Sequence, residues 1–210
     1  MKAARTTDSM RGERRLVSIL FCDVTGSTAM AKDLDPEDWA EVMHEAFEYL
    51  IAPIYRYEGT LARMMGDGIM AFFGAPLAHE DDPERAVLAG LAIIDEIGPF
   101  GEKVRKELDL EFNVRVGINT GHVVVGDIGT DLAMEYTAMG DTVNMAARME
   151  ETAEPGTVQV SEETYRMVAP LFDTVALEGV KVKGRQEAVQ TYRIVAPKSK
   201  PGKIRGIEGL

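Results

Sequence analysis

The sequence predicts an α+β fold built on a ferredoxin-like βαββαβ core with an antiparallel-rich sheet. Three observations predict it. Residues 17–24 form an almost continuously apolar run with Asp23 near its end, followed by a Gly/Ser/Thr turn and a helical stretch. Arg63 to Gly74 places Gly66-Asp67-Gly68 between two apolar runs, the signature of a hairpin. A long helical periodicity from Pro83 then leads into strict alternation over residues 112–119.

Taken in order, residues 1–12 are polar, with Arg5 and Arg11, and read as an N-terminal arm or linker. The first strand follows, then a short helix over 25–32. Asp35 is the expected cap of the next helix, with Pro36 at its first position. Trp39, Val42, Met43, Ala46, Phe47, Leu50 and Ile51 form its apolar stripe, Pro53 marks a candidate kink, and His44 lies off the stripe towards solvent. Residues 59–65 and 69–73 are the hairpin strands. Residues 76–83 form a polar loop in which His79, Glu80, Asp81 and Asp82 read as a solvated helix start rather than a metal cluster. The helix from Pro83 carries Ala86, Val87, Leu91, Ile94 and Ile97 on one face; Gly98-Pro99 is expected to interrupt it before a continuation to Leu108. Phe112, Val114, Val116 and Ile118 alternate on the next strand, Thr120-Gly121-His122 is expected to turn the chain, and 123–129 to form a separate strand with Asp127 as a loop acid. Residues 134–139 make another strand, and Asp141 is the expected cap of a helix bearing Asn144 and Arg148. Residues 157–160, a short helix opened by Ser161, and strands at 172–177, 180–182 and 189–195 complete residues 13–196 as one domain. From Pro197 to residue 210 the composition turns Lys/Gly/Pro-rich, as in a C-terminal linker, so the expectation is a catalytic domain joined to regulatory domains in a longer protein.

The 210 residues suffice for one domain with a real core. A net charge of −12 argues against nucleic-acid binding. Cys22 is the single cysteine, so no disulfide can form within the chain; with no apolar run long enough for a membrane span and no secretory leader, a cytoplasmic location is expected. Cys22 precedes Asp23 and should face the opposite side of the sheet, as core.

A carboxylate at the mouth of a buried strand needs a charge or hydrogen bond to meet it. The Gly/Ser/Thr turn after Asp23 can aim backbone N–H groups at an anion. If the hairpin pairs beside the first strand, Asp67 comes next to Asp23, and two carboxylates there repel unless a divalent cation lies between them. Oxygen ligands beside phosphates point to Mg²⁺ or Mn²⁺, two ions per site.

These segments resemble the metal-binding segments of class III nucleotidyl cyclases, the adenylate/guanylate cyclase catalytic domain. Glu135 to Met149 is similar to the family's strand-then-helix motif, and Val182-Lys183-Gly184-Arg185 to its late phosphate-binding segment. The resemblance implies the class III cyclase homology fold. It implies that Asp23 and Asp67, with the carbonyl of Val24, bind the ions, that Thr25, Gly26, Ser27 and Thr28 hold the β- and γ-phosphates, and that Lys183 adds a phosphate cation. Asn144 would hold the ribose and Arg148 the charge developing on the α-phosphate; four residues apart, they share a helix face. The product would be a 3′,5′-cyclic nucleotide with release of pyrophosphate. The family builds each site from two subunits, and this chain carries both halves, which implies a homodimer with two equivalent composite sites.

The base-reading positions depart from the pattern. Arg63 stands where adenylate cyclases usually carry lysine and guanylate cyclases glutamate; Thr137 stands where aspartate or threonine accompanies adenine. Arg63 can donate to adenine N1 and Thr137 can accept from N6, which favours ATP and an adenylate cyclase. Arginine is longer and forked, so a guanylate cyclase or relaxed base choice stays open. A diguanylate cyclase or polymerase lacks support in the absence of a Gly-Gly-Asp-Glu-Phe-like turn. A non-catalytic nucleotide-binding sensory module is the reading of another class.

Overall fold

In the first strand, β1 (Glu13–Thr25), Leu20, Cys22 and Val24 alternate with Ile19, Phe21 and Asp23, and this alternation sorts the molecule into two sides. The computed structural model describes residues 13–130, 133–139, 141–181 and 188–198, with side chains described over 14–124, 141–181 and 188–198. The even-numbered residues join the main core, against α2 (Pro36–Arg56) and α3 (Asp82–Leu108); Val17 and Ile19 face a smaller cluster that includes Ala146 of α4 (Asp141–Thr152). Asp23 lies on the α4 side, and Cys22 is buried on the other.

After β1 come α1 (Ser27–Asp33), α2, β2 (Thr60–Met65), β3 (Gly68–Phe73), α3 and β4 (Asn113–Thr130), so the first half is the expected βαββαβ unit with the short α1 added ahead of its first crossover helix. The sheet order is β2-β3-β1-β4-β6-β8-β7, with β5 (Ala133–Met139) paired to β4; β6 is Val158–Ser161, β7 Phe172–Ala176 and β8 Thr191–Pro197. Among the described residues only the β4–β6 pair is parallel. The α+β, antiparallel-rich fold expected from the sequence is therefore the observed one.

Four local expectations are corrected. Thr120-Gly121-His122 does not turn: β4 runs unbroken, with these residues in register with Ser18, Val17 and Leu16 of β1, and Asp127 lies within the strand rather than in a loop. Gly121 is there because α4 passes close over it; a Cβ would come within 2.7 Å of Thr142 Oγ1. Gly98-Pro99 does not interrupt α3. Proline costs that helix a hydrogen bond, but Phe100 and Val104 are buried beyond it, and the Phe100 ring meets Phe112 edge-on at 5.1 Å, so tertiary packing carries the helix through. Of the expected strand at 180–182, Val180 forms one isolated bridge with Val189 and Lys181 belongs to no strand, while residue 182 lies outside the described residues. The segment around His79 is only partly solvated: Pro76 to Ala78 and Glu80 are exposed, as expected, but the helix start is not. Asp82 and Arg85 are buried, the His79 ring lies 3.2 Å from Asp82 and 3.3 Å from Glu58, and Arg85 pairs with Asp81 and Glu58. Buried charges persist when paired, and here the network clamps the α2 end to the start of α3.

Among the described residues no helix is long and apolar enough to cross a membrane.

Candidate active site

Asp23 and Asp67 are brought together by strand pairing. Asp23 stands opposite Gly68 of β3 on one side and Arg115 of β4 on the other. The Val24 N–H donates to the Asp67 carbonyl at 3.2 Å, which fastens the hairpin turn to the end of β1. A Cβ at residue 68 would come within 3.2 Å of Asp23 Oδ1 and 2.6 Å of the Cys22 carbonyl, so only glycine permits this approach. Ser27 Oγ, at the start of α1, donates to Asp67 Oδ2. On its other flank Asp23 Oδ2 lies 3.6 Å from Arg115 Nη2. Arg115 Nε meets Glu150 Oε1 of α4 at 2.6 Å, out of line for a hydrogen bond, and its Nη1 donates to the Glu151 carbonyl at 3.0 Å.

Burial, and then the neighbouring Asp67 charge, push the Asp23 carboxyl up to about 6; Arg115 and the Val24 backbone oppose the shift. Burial also raises Glu150, against the pull of Arg115. The sign follows. A carboxyl whose folded pKa exceeds its unfolded value binds its proton more tightly in the folded state. Its contribution is fully present below the ordinary carboxylate range and is lost as pH rises through about 6. The metal-free chain should therefore melt at higher temperature as pH falls from ~7.5 to ~5.5, and Asp23→Asn should reduce that slope, leaving the Glu150 part. Thermal melts in chelator at several pH values test this; an equal slope in the variant would refute it.

The remaining expected site residues divide. Thr25 ends β1, with its hydroxyl donating to the Asn113 carbonyl at 3.0 Å. Gly26 caps α1 in the left-handed region, and the first intrahelical donors are Ala29 and Met30, so the N–H groups of Ser27 and Thr28 precede the helix ladder. Asn144 is exposed on α4, and Arg148 lies one turn further along the same face. Arg148 Nη1 is held by Glu151 Oε2 at 2.8 Å, while its Nε is buried without a hydrogen-bond partner. No hydrogen bond or ion pair given by the described residues joins the aspartates directly to Asn144 or Arg148; the connection runs through Arg115 and Glu151. Arg63 is exposed on β2, next to a register shift, opposite Met70. Thr137 lies on β5 opposite Gly126 of β4, its side chain outside the described residues, as is the whole of Lys183. Sequence reasoning missed Arg115 and Glu150. Arg115 alternates with the buried Val114 and Val116, but only the β1–β4 register puts it opposite Asp23.

The donor set fits a cation that needs few protein ligands. Two crowded carboxylates, one with a raised pKa, require a proton or a cation between them. Among the described residues no group of three or more His, Cys, Asp or Glu side chains could hold a metal alone. A pair of carboxylates that leaves the other positions to water and phosphate is the Mg²⁺ pattern.

A sheet whose strand-end acids sit beside a Gly/Ser turn, with a helix carrying Asn and Arg on the same side, defines the catalytic-domain architecture of the class III nucleotidyl cyclases. The chain belongs to the adenylate and guanylate cyclase catalytic domain family, whose model matches residues 11–196. It is 32% identical over 186 residues to adenylate cyclase 1 of Rhizobium meliloti, a match covering 87% of this chain and 28% of that protein. The chain thus spans under a third of that relative's length. Among solved structures, the adenylyl cyclase CyaB from P. aeruginosa superposes with a TM-score of 0.85 at 28% identity, covering 95% of this chain and 100% of that one. The guanylate cyclase domain of RhGC from Catenaria anguillulae, in complex with GTP, gives 0.78 at 30% identity, covering 89% and 100%.

Proposed function

We propose that the chain is an adenylate cyclase domain that converts ATP to 3′,5′-cyclic AMP and pyrophosphate in a homodimer with two equivalent composite sites. The observation that carries the reading is the meeting of Asp23 and Asp67 at the end of β1, on the sheet face that α4 covers. In each site one subunit supplies Asp23, Asp67 and the Val24 carbonyl for Mg²⁺ or Mn²⁺, together with the turn from Thr25 to Thr28 for the β- and γ-phosphates. The other supplies Asn144 for the ribose, Arg148 for charge developing on the α-phosphate, Arg63 and Thr137 for the base, and Lys183 as a further phosphate cation. Two bound ions would supply acidification of the attacking 3′-hydroxyl and neutralisation of phosphate charge. Exposed Met64 on β2 and Val124 on β4 give a second copy apolar surface to cover.

Arg63 decides the base. Its guanidinium only donates, so it matches the adenine N1 acceptor and opposes the N1–H and 2-amino group of guanine. Similar structures include both adenylyl and guanylyl cyclases, so base choice rests on this residue and on Thr137. Incubating the purified chain with Mn²⁺ and either ATP or GTP, at several protein concentrations, should yield cyclic AMP with specific activity rising with concentration. Cyclic GMP as the main product would overturn the base assignment. A concentration-independent rate from a monomer would overturn the composite site.

A further inference from the structure

Six polar groups form a continuous hydrogen-bonded path beneath the catalytic face. Ser18 of β1 bonds Thr120 of β4 at 2.8 Å, the pair that strand register sets opposite each other. Thr164 of α5 (Glu162–Val168) donates to Thr120 at 3.0 Å. Ser161, the cap of α5, accepts the Thr164 N–H at 3.2 Å and donates to Asn119 Oδ1 at 2.6 Å. Asn119 Nδ2 donates to the Thr142 carbonyl in the first turn of α4 at 2.9 Å. All five side chains are at most 4% exposed. Buried hydroxyls and amides are costly unless satisfied, and each of these is.

The path fixes the orientation of Asn119 by elimination. The Thr142 carbonyl can only accept, so the Asn119 NH₂ must face it. That turns Oδ1 to Ser161, whose hydroxyl therefore donates to it while its oxygen accepts the Thr164 N–H. Thr142 is held a second time, its hydroxyl donating to the His122 carbonyl at 3.0 Å. Both contacts tie the first turn of α4 to β4, two and six residues ahead of Asn144 and Arg148. A cavity of about 100 Å³, lined by Asn119, Thr142 and Met145 among others, adjoins this turn, so the helix start has room to shift once the amide is removed.

We propose that Asn119 is a positioning residue for the reaction: its amide fixes the first turn of α4 and thereby the aim of Asn144 and Arg148. The inference rests on the reading of α4 as the helix that contacts ribose and transition state. Misplacement of a catalytic group by a fraction of an ångström acts on the chemical step rather than on ground-state binding.

The test is a double-mutant cycle on the purified chain, with kcat, KM for nucleotide and melting temperature measured for wild type, Asn119→Ala, Arg148→Ala and the double variant. Asn119→Ala should lower kcat ~10-fold with KM within ~3-fold, and should add clearly less than that factor to the loss in Arg148→Ala, because of the two groups it aims only Asn144 is left. A kcat within ~2-fold of wild type, or losses that multiply in the double variant, would overturn the positioning role. If Asn119→Ala does not fold, Asn119→Leu keeps the volume, removes the donor to Thr142, and is read by the same thresholds. A wild-type rate in Arg148→Ala sinks the catalytic reading of α4 and the role of Asn119 with it; a slow Arg148→Ala beside an unaffected Asn119→Ala sinks only the positioning role.

Discussion

Asp67→Ala should reduce nucleotide cyclisation by at least ~10³-fold at any Mn²⁺ concentration while leaving a folded chain. Asp67 sits in an exposed-edge hairpin turn, and its backbone carbonyl, not its side chain, accepts from Val24. The turn therefore survives truncation, and Ser27 Oγ is the partner that loses a bond. The carboxylate itself is a liability to the empty protein, because it raises Asp23 towards protonation. Removing it should leave the metal-free melting temperature unchanged or higher, while metal-dependent stabilisation in the presence of nucleotide disappears. Activity and stability moving in opposite directions is what a functional charge pair predicts; a structural acid would lower both. Cyclic nucleotide formation across a Mn²⁺ titration, with parallel thermal melts, decides it. Full turnover in the variant would refute the assignment of Asp67 to the ion site.

The sequence made the first half of the fold legible because its signals are local. The run with Asp23 near its end, the Gly66-Asp67-Gly68 turn and the α2 stripe each follow from neighbours within one turn or one strand. The errors have a common cause. Gly121 and Pro99 read as breakers on their own, yet Gly121 makes room for Thr142 and the segment around Pro99 is held by Phe100 on Phe112. Both facts depend on residues about twelve to twenty positions away. His79 misled for the same reason, since Glu58 reaches it from the far end of α2. Of the candidate site, the aspartate pair and the Asn144–Arg148 spacing were readable, but Arg115 and Asn119 are placed by cross-strand register and tertiary hydrogen bonds that leave no local pattern.

Arg148→Ala should lower kcat by ~100-fold with little change in KM. Two readings of this arginine make opposite demands. As a surface partner of Glu151 at i+3, with the two side chains 40% and 55% exposed, it would contribute only a few tenths of a kcal/mol to the helix and nothing to the rate. As a transition-state cation it should matter only when negative charge grows on the α-phosphate. Its geometry suits the second role, because Glu151 engages Nη1 alone. A guanidinium held at one corner keeps the rest of its fork for an oxyanion, and the holding bond limits the rotamer freedom lost during reaction. Truncation strands no buried charge, since Glu151 remains exposed, so the melting temperature should shift by no more than a degree or two. Arg148→Lys should recover only part of the rate, because a point charge cannot reproduce the fork. The decisive comparison is kcat against melting temperature in the same preparations: an unchanged kcat in Arg148→Ala removes the residue from the catalytic set, whereas a large kcat loss in a chain that melts normally leaves charge stabilisation as its role.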